Sequence, residues 1–186
     1  MTSGPPRYYL CLEPIYKTLD EERNVIGKKM LDALNEQINA ELYSAYLYQA
    51  MAAHFENGNL RGFAHWMDLQ AKEEQAHARK MYEFLVDRGG RVGLKAIAAP
   101  PAEWKSPLQI FEESYAHEQK VSGLIHKLVD LARAENDHAA EVFLAWFVTE
   151  QVEEEAHASE IVEKLKMIKE QPQGLLMLDA QLGQRA

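Results

Sequence analysis

A single cysteine, Cys11, stands in the 186 residues. One thiol cannot make an intramolecular disulfide, a Cys-x-x-Cys redox pair or a four-cysteine zinc or iron site. Basic charge is scarce too: 20 Lys+Arg face 29 Asp+Glu, a formal net charge of −9. Nucleic-acid binding needs a basic face against phosphate and is not expected; the field of this chain attracts cations. No apolar run approaches the ~20 residues that cross a bilayer, so no membrane partner is expected. Residues 1–24 hold three of the seven prolines, show no sustained periodicity, and lack the basic start and apolar stretch of a signal peptide. They read as an N-terminal extension, poorly ordered or mis-started with Met30 nearer the true beginning. Residues 25–186 form the domain proper, and the composition points to a soluble cytoplasmic protein.

Internal proline is also missing from four long stretches, about Val25 to Asn57, Asn59 to Asp87, Pro107 to Glu135 and Asp137 to Glu170. Helical period dominates each of them, and the breaks between carry Asn57-Gly58-Asn59, Gly89-Gly90, Pro100-Pro101 and Asn136-Asp137. Ser106-Pro107 has the form of an N-cap followed by proline in the first turn. Helices of ~30 residues are ~45 Å long, more than most globular domains use. The link from Arg88 to Ser106 is too long for a tight turn, so the second and third helices need not be antiparallel neighbours. Gly174 to Leu182 can form one short final helix. The expectation is all-α: a four-helix bundle with a long crossover between helices 2 and 3 and a short fifth C-terminal helix.

Each long helix has an inward stripe spaced by threes and fours. The stripes read Leu34, Ile38, Glu41, Ala45, Tyr48, Ala52, Phe55; then Phe63, Met67, Gln70, Glu74, His77, Met81, Phe84. The third is Phe111, Ser114, Glu118, Val121, Ile125, Leu128, Ala132, and the fourth Phe143, Phe147, Gln151, Glu154, Ala158, Ile161, Leu165. All four are apolar at the ends and carry a carboxylate in the middle. One buried carboxylate costs several kcal/mol and usually signals a shifted register; four at the same height call for a cation. Two divalent ions would neutralise Glu41, Glu74, Glu118 and Glu154, with His77 adding an imidazole. Oxygen-rich ligation with one nitrogen suits iron or manganese. The bland alternative is four solvated or salt-bridged glutamates, against which stands the scarcity of Lys and Arg on these stripes.

Spacing supports the cation reading. From Glu41 to Glu74 is 33 residues and to His77 is 36; from Glu118 to Gln151 is again 33 and to Glu154 again 36. The two helical hairpins look like copies about a pseudo-twofold, each projecting an i, i+3 pair toward one centre. A competing register, Glu154-x-x-His157, would offer His157 as a second nitrogen, but His157 falls outside the repeat and on a different, charged stripe. Glu73, Glu150 and Glu153 flank the centre and could form a third cation site sharing Glu154. A solvated acidic flank is the plainer reading of the same three.

Three stretches resemble the non-haem ferritins of bacteria and archaea: Leu34-Asn35-Glu36-Gln37-Ile38-Asn39-Ala40-Glu41-Leu42-Tyr43-Ser44, Glu73-Glu74-Gln75-Ala76-His77 and Glu150-Gln151-Val152-Glu153-Glu154-Glu155. The resemblance covers roughly Met30 to Leu182, and it implies a ferritin-like diiron domain. By that resemblance Glu41, Glu74 and His77 hold one iron, Glu74, Glu118 and Glu154 hold the second, and Gln151 lies close by. Glu73, Glu150, Glu153 and Glu154 match a third iron site, and Tyr48 matches the tyrosine beside the ferroxidase centre. Trp146 also stands where the family often has tryptophan, with core packing an equal explanation. Met51, Met67 and Met81 read as core residues. Gln75 occupies the place of the haem-ligating methionine of bacterioferritins, so no haem is expected. Gln151-x-x-Glu154 departs from the second Glu-x-x-His of bacterioferritins and rubrerythrins. The implied function is a ferroxidase that oxidises Fe(II) with O2 or peroxide and stores ferric mineral in a homo-oligomeric cage of twenty-four subunits. The rivals are a dimetal oxidase that keeps its irons and a non-catalytic helical interaction module.

Overall fold

The computed structural model describes residues 25–169 and 171–185; the N-terminal extension read from residues 1–24 lies outside them. Five helices follow in order: α1 (Lys28–Asn57), α2 (Arg61–Asp87), α3 (Pro107–Ala134), α4 (His138–Ile168) and α5 (Pro172–Leu182). No strand occurs among the described residues. The four long helices have 30, 27, 28 and 31 residues. Their ends follow local chemistry. Asn59 and Asn136 take left-handed backbone angles, φ 57° and 55°, in the tight turns after α1 and α3, a conformation asparagine tolerates better than most residues. The Ser106 hydroxyl accepts from Gln109 N at 3.2 Å at the start of α3, and the Asp137 carboxylate accepts from Ala140 N at 3.0 Å at the start of α4.

Helix α1 packs along α2, α3 packs along α4, the pairs meet through α1 and α3, and α5 lies across α2 and α4. The 19 residues between α2 and α3 are pinned rather than loose. Asn35 on α1 accepts from Gly93 N at 2.7 Å and donates to the Arg91 carbonyl at 3.2 Å, and the buried Trp104 indole donates to Glu113 at 2.7 Å. Arg88 closes the end of α2 onto the start of α4 with a two-pronged ion pair to Asp137, 3.0 and 3.2 Å.

The core is in two parts. One apolar cluster, with Met51, Phe55, Phe63, Met67, Phe111 and Leu165, fills one end of the bundle. The other, with Met30, Leu34, Ile38, Met81, Ile125 and Leu144, fills the opposite end. Met51, Met67 and Met81 are completely enclosed, as their spacing implies. Each fully buried side chain of this size contributes ~1.5–3 kcal/mol, so the two ends carry the fold. The layer between them is polar: Gln37, Glu41, Gln70, Glu74, His77, Ser114, Glu118, Ser122, Gln151 and Glu154 are all buried. Two hydrophobic ends clamp a hydrophilic middle.

Candidate metal centre

Each helix supplies the middle layer from the residue its stripe places there. On α1, Glu41 receives a hydrogen bond from Gln37 Nε2 at 2.9 Å, one turn earlier. Its other oxygen, Oε2, has no partner, and neither has Glu74 Oε2 on α2. A buried polar atom without a partner costs ~1–3 kcal/mol. These two lie in the same cluster: carboxylate oxygens of Glu41 and Glu74 and a ring nitrogen of His77 all fall within 4.8 Å of one another. His77 Nδ1 is 3.5 Å from Glu74 Oε2, too long for a hydrogen bond and the kind of separation two ligands of one cation have. An oxygen-rich set with one imidazole and two unsatisfied oxygens fits a divalent iron or manganese ion.

On the other side of the layer Glu118 accepts from the Tyr48 hydroxyl, which also contacts Ser114 Oγ at 3.1 Å. Gln151 Nε2 donates to Glu118 Oε2 at 3.2 Å. Glu154 accepts from Gln70 Nε2. All six residues proposed around the dinuclear centre, Glu41, Glu74, His77, Glu118, Gln151 and Glu154, are thus buried in one layer with Tyr48. A second ligand-like group joins His77 to Glu150 and Glu154. Of the flanking acids, Glu150 is half-buried and belongs to that group, Glu153 is exposed, and Glu73 is engaged by Arg185 Nη2 at 2.6 Å. His157 is exposed on α4 and stands in neither group. Trp146 is not core: it is 38% exposed, its ring meets His77 edge-on at 5.5 Å, and Lys80 Nζ sits 3.6 Å over it.

Burial dominates the electrostatics. It pushes the Glu41 carboxyl up to about 7, against the opposing effect of contacts with Glu74 and Gln37. It raises Glu74 well above the ordinary range, helped by the charges of Glu41 and Glu118. Glu118 is raised by burial despite the bonds from Tyr48 and Gln151, and Glu154 is raised to about 8 by burial and by Glu118. His77 moves the other way, down to about 4, through burial and then the Lys80 charge. Without a cation, burial therefore favours protons on these carboxyls, while the His77 lone pair is free at neutral pH. Cations of charge two would exchange for those protons.

Sequence patterning places Gln70 and Ser114 on the stripes without giving them roles, and it gives none to Gln37, Ser122 or Arg185. A signal was present for three: Gln37, Gln70 and Ser114 each stand four residues before a layer glutamate, one helical turn away. Nothing in the pattern pointed to Arg185.

Helices that meet in a carboxylate-and-histidine layer define the dimetal class of four-helix bundles. A ferritin-like domain model matches residues 31–168. The bacterial non-heme ferritin of Bacteroides fragilis is 45% identical over 161 residues, 87% of this chain and all of that one. The bacterial non-heme ferritin of Staphylococcus saprophyticus is 41% identical over 87% of this chain and 97% of its own length. Among solved structures, an open pore ferritin from the hyperthermophilic archaeon Archaeoglobus fulgidus superposes with TM-score 0.86 at 53% identity, covering 87% of this chain and 99% of that one. The chain belongs to the ferritin family, among the non-haem ferritins of bacteria and archaea.

Proposed function

We propose that this chain binds Fe(II) in the polar layer, oxidises it to Fe(III) and passes it to a ferric mineral held inside a shell of its own copies. The single observation carrying this is the pair of partnerless buried oxygens, Glu41 Oε2 and Glu74 Oε2, beside the neutral His77. One Fe(II) takes Glu41, Glu74 and His77; a second takes Glu74, Glu118 and Glu154, so that Glu74 bridges. Two Fe(II) release two electrons, which with two protons convert O2 to H2O2, or H2O2 to two waters. Protons leave the raised carboxyls as the cations enter, which keeps the buried layer close to neutral. Tyr48 and Gln151 hold Glu118 from two sides, and Gln70 holds Glu154. Gln151 in place of a fourth-helix carboxylate lowers the charge of the site, which favours letting Fe(III) go.

Glu150 and Glu154, with Glu73 and Glu153 flanking, form a third cation site on the same side as His77. A shell of twenty-four subunits, each at −9, draws Fe(II) toward its interior. Self-association is supported by a groove of about 500 Å³ between the crossover and α1–α2, rimmed by the exposed Tyr46, Leu94 and Ile97. No described helix is long and apolar enough to cross a membrane, and a cytoplasmic location is part of this reading.

The test is iron retained per subunit after repeated aerobic Fe(II) additions, on protein separated by size exclusion. Tens of irons on a large assembly establish storage. A plateau of two or three on a small species leaves a dimetal oxidase, and no retained iron removes both.

A further inference from the structure

The segment after α5 reaches the polar layer through Arg185 and Gln70. Helix α5 is fixed against the start of α2, where the Asp179 carboxylate accepts from Gly62 N at 2.8 Å and Phe63 N at 3.0 Å. The approach is close enough that a Cβ on Gly62 would lie 1.7 Å from the Asp179 carbonyl oxygen. Leu178 and Leu182 are buried beneath it. Three residues on, the Arg185 carbonyl oxygen meets His65 Nε2 at 2.9 Å, and its guanidinium lies over the Trp66 ring, 4.8 Å from the centroid.

The guanidinium then forks. Nη1 donates to Gln70 Oε1 at 2.6 Å and to the Trp66 carbonyl at 3.4 Å, while Nη2 donates to Glu73 Oε2 at 2.6 Å. Gln70 is fully buried, and an amide has one accepting end and one donating end. With its oxygen held by a cation, its NH2 must face the other way, and there it donates to Glu154 Oε2. A flipped amide would set its oxygen against the Glu154 carboxylate and its NH2 against the guanidinium, losing both bonds. Two donors in a rigid plane are needed to serve Gln70 and Glu73 together, which arginine has and lysine lacks.

We propose that Arg185 is a positioning residue of the metal centre: by fixing the Gln70 amide it orients Glu154, so that the docked C-terminal segment sets the geometry of the second cation. This rests on the reading of Glu154 as a ligand. While α5 is docked, Arg185 also occupies Glu73, and Glu73 joins a third cation only when that pair opens.

The test is Zn(II) binding to the metal-free assembled protein by titration calorimetry, with the Co(II) visible spectrum as a second readout. Arg185→Ala is expected to weaken the cation held by Glu154 about tenfold, the usual effect of removing a partner behind a ligand, and to shift the Co(II) ligand-field band. The cation held by Glu41 and His77 stays within about twofold of wild type. Gln70→Ala reproduces the loss, and adding Arg185→Ala to it costs nothing more, because both act on one carboxylate. If Arg185 only staples α5, Arg185→Ala lowers thermal stability while both affinities and the Co(II) band stay as in wild type; that overturns the inference. Should Arg185→Ala fail to assemble, Gln70→Ala decides, since it leaves the Arg185–Glu73 pair in place, and an unchanged affinity and band overturn it equally. Wild-type protein that binds neither Zn(II) nor Co(II) would refute the metal-centre reading, and this inference with it.

Discussion

Replacing Glu154 by glutamine should make the metal-free protein more stable, and by an amount that depends on pH in a calculable way. Burial raises the Glu154 carboxyl from 4.5 to about 8. At pH 7 the native state therefore holds a proton that the unfolded chain has released. Holding it costs ~1.4 kcal/mol for each unit by which the pH exceeds 4.5, or ~3 kcal/mol at pH 7 and under ~1 kcal/mol at pH 5. Glutamine has nearly the same shape, keeps an oxygen for the Gln70 donor, and cannot ionise in either state. Glu154→Gln in excess chelator should then raise the melting temperature by up to ~6–12 °C at pH 7, taking ~2–4 °C per kcal/mol for a chain of this size, and by no more than ~3 °C at pH 5. With Zn(II) or Fe(II) present the sign reverses, because a ligand has gone. Scanning calorimetry at one scan rate, with and without chelator at both pH values, supplies the comparison. A variant no more stable than wild type at pH 7 without metal would show that Glu154 is not held as a protonated carboxyl. The proton-for-cation exchange would then be wrong.

The metal-free wild type should itself lose stability as pH rises from about 6.5 to 8. Glu41 and Glu154, raised to about 7 and 8, bind protons more tightly when folded, so their contribution falls as pH climbs from 4.5 through those values. His77, and His117 on α3, whose Nε2 lies 2.7 Å from the buried Ser44 hydroxyl, are both lowered to about 4 by burial; they act in the opposite direction, gaining stability between about 4 and 6.5, and offset the carboxyls only below 6.5. Metal-loaded protein should show no such fall, and a melting temperature flat from 6.5 to 8 in chelator would contradict the assignment. Tyr48→Phe removes a donor to Glu118 and a partner of Ser114 and should slow Fe(II) oxidation about tenfold, with a stability loss of ~1–3 kcal/mol for the buried groups left short of a partner; stopped-flow absorbance follows the rate, and an unchanged rate would make Tyr48 a packing residue. Gly62→Ala forces a Cβ to within 1.7 Å of the Asp179 carbonyl and should cost more than ~2 kcal/mol. Proteolysis confined to α5 would trace that loss to undocking, and a melting temperature equal to wild type would show that α5 yields freely.

The four helices and the buried layer that holds Glu41, Glu74, His77, Glu118, Gln151 and Glu154 were legible because they repeat, and the crossover because its link is too long for a tight turn. Apolar residues at spacings of three and four fix which face goes inward, and a register shift of a single residue would have moved Glu41 or Glu118 to the surface. The final helix begins at Pro172 rather than Gly174, since proline costs nothing in a first turn where its missing N–H has no partner anyway. Illegible were contacts between residues far apart in sequence that obey no period. Arg185 meets Gln70 across 115 positions and Glu73 across 112. Trp146 shows the same limit from another side: its apolar bulk suggests core, yet a lysine over its face and the His77 edge hold it at the surface.

The same repeat shows how the two proposed cation positions differ. Corresponding residues stand 77 apart: Glu41 with Glu118, Glu74 with Gln151, His77 with Glu154. Were the copies identical, the two ions would have identical surroundings and identical potentials. The copies diverge at the residues that touch the ligands. Tyr48, which donates to Glu118, corresponds to Ile125, which can donate nothing to Glu41; Gln37, which donates to Glu41, corresponds to Ser114, which turns instead to Tyr48. Gln70, which holds Glu154, corresponds to Phe147, which packs its ring against His77 at 5.9 Å. In the proposed assignment one position has an imidazole against apolar rings, and the other has only oxygens, with Glu118 steadied by a phenol and an amide and Glu154 by an amide. A nitrogen ligand favours the divalent ion more than hard oxygens do, while an all-oxygen set favours the trivalent one. Filled as proposed, the inequality would give the pair a direction: Fe(II) would be held better by Glu41, Glu74 and His77, and Fe(III) would be stabilised among the oxygens of Glu74, Glu118 and Glu154.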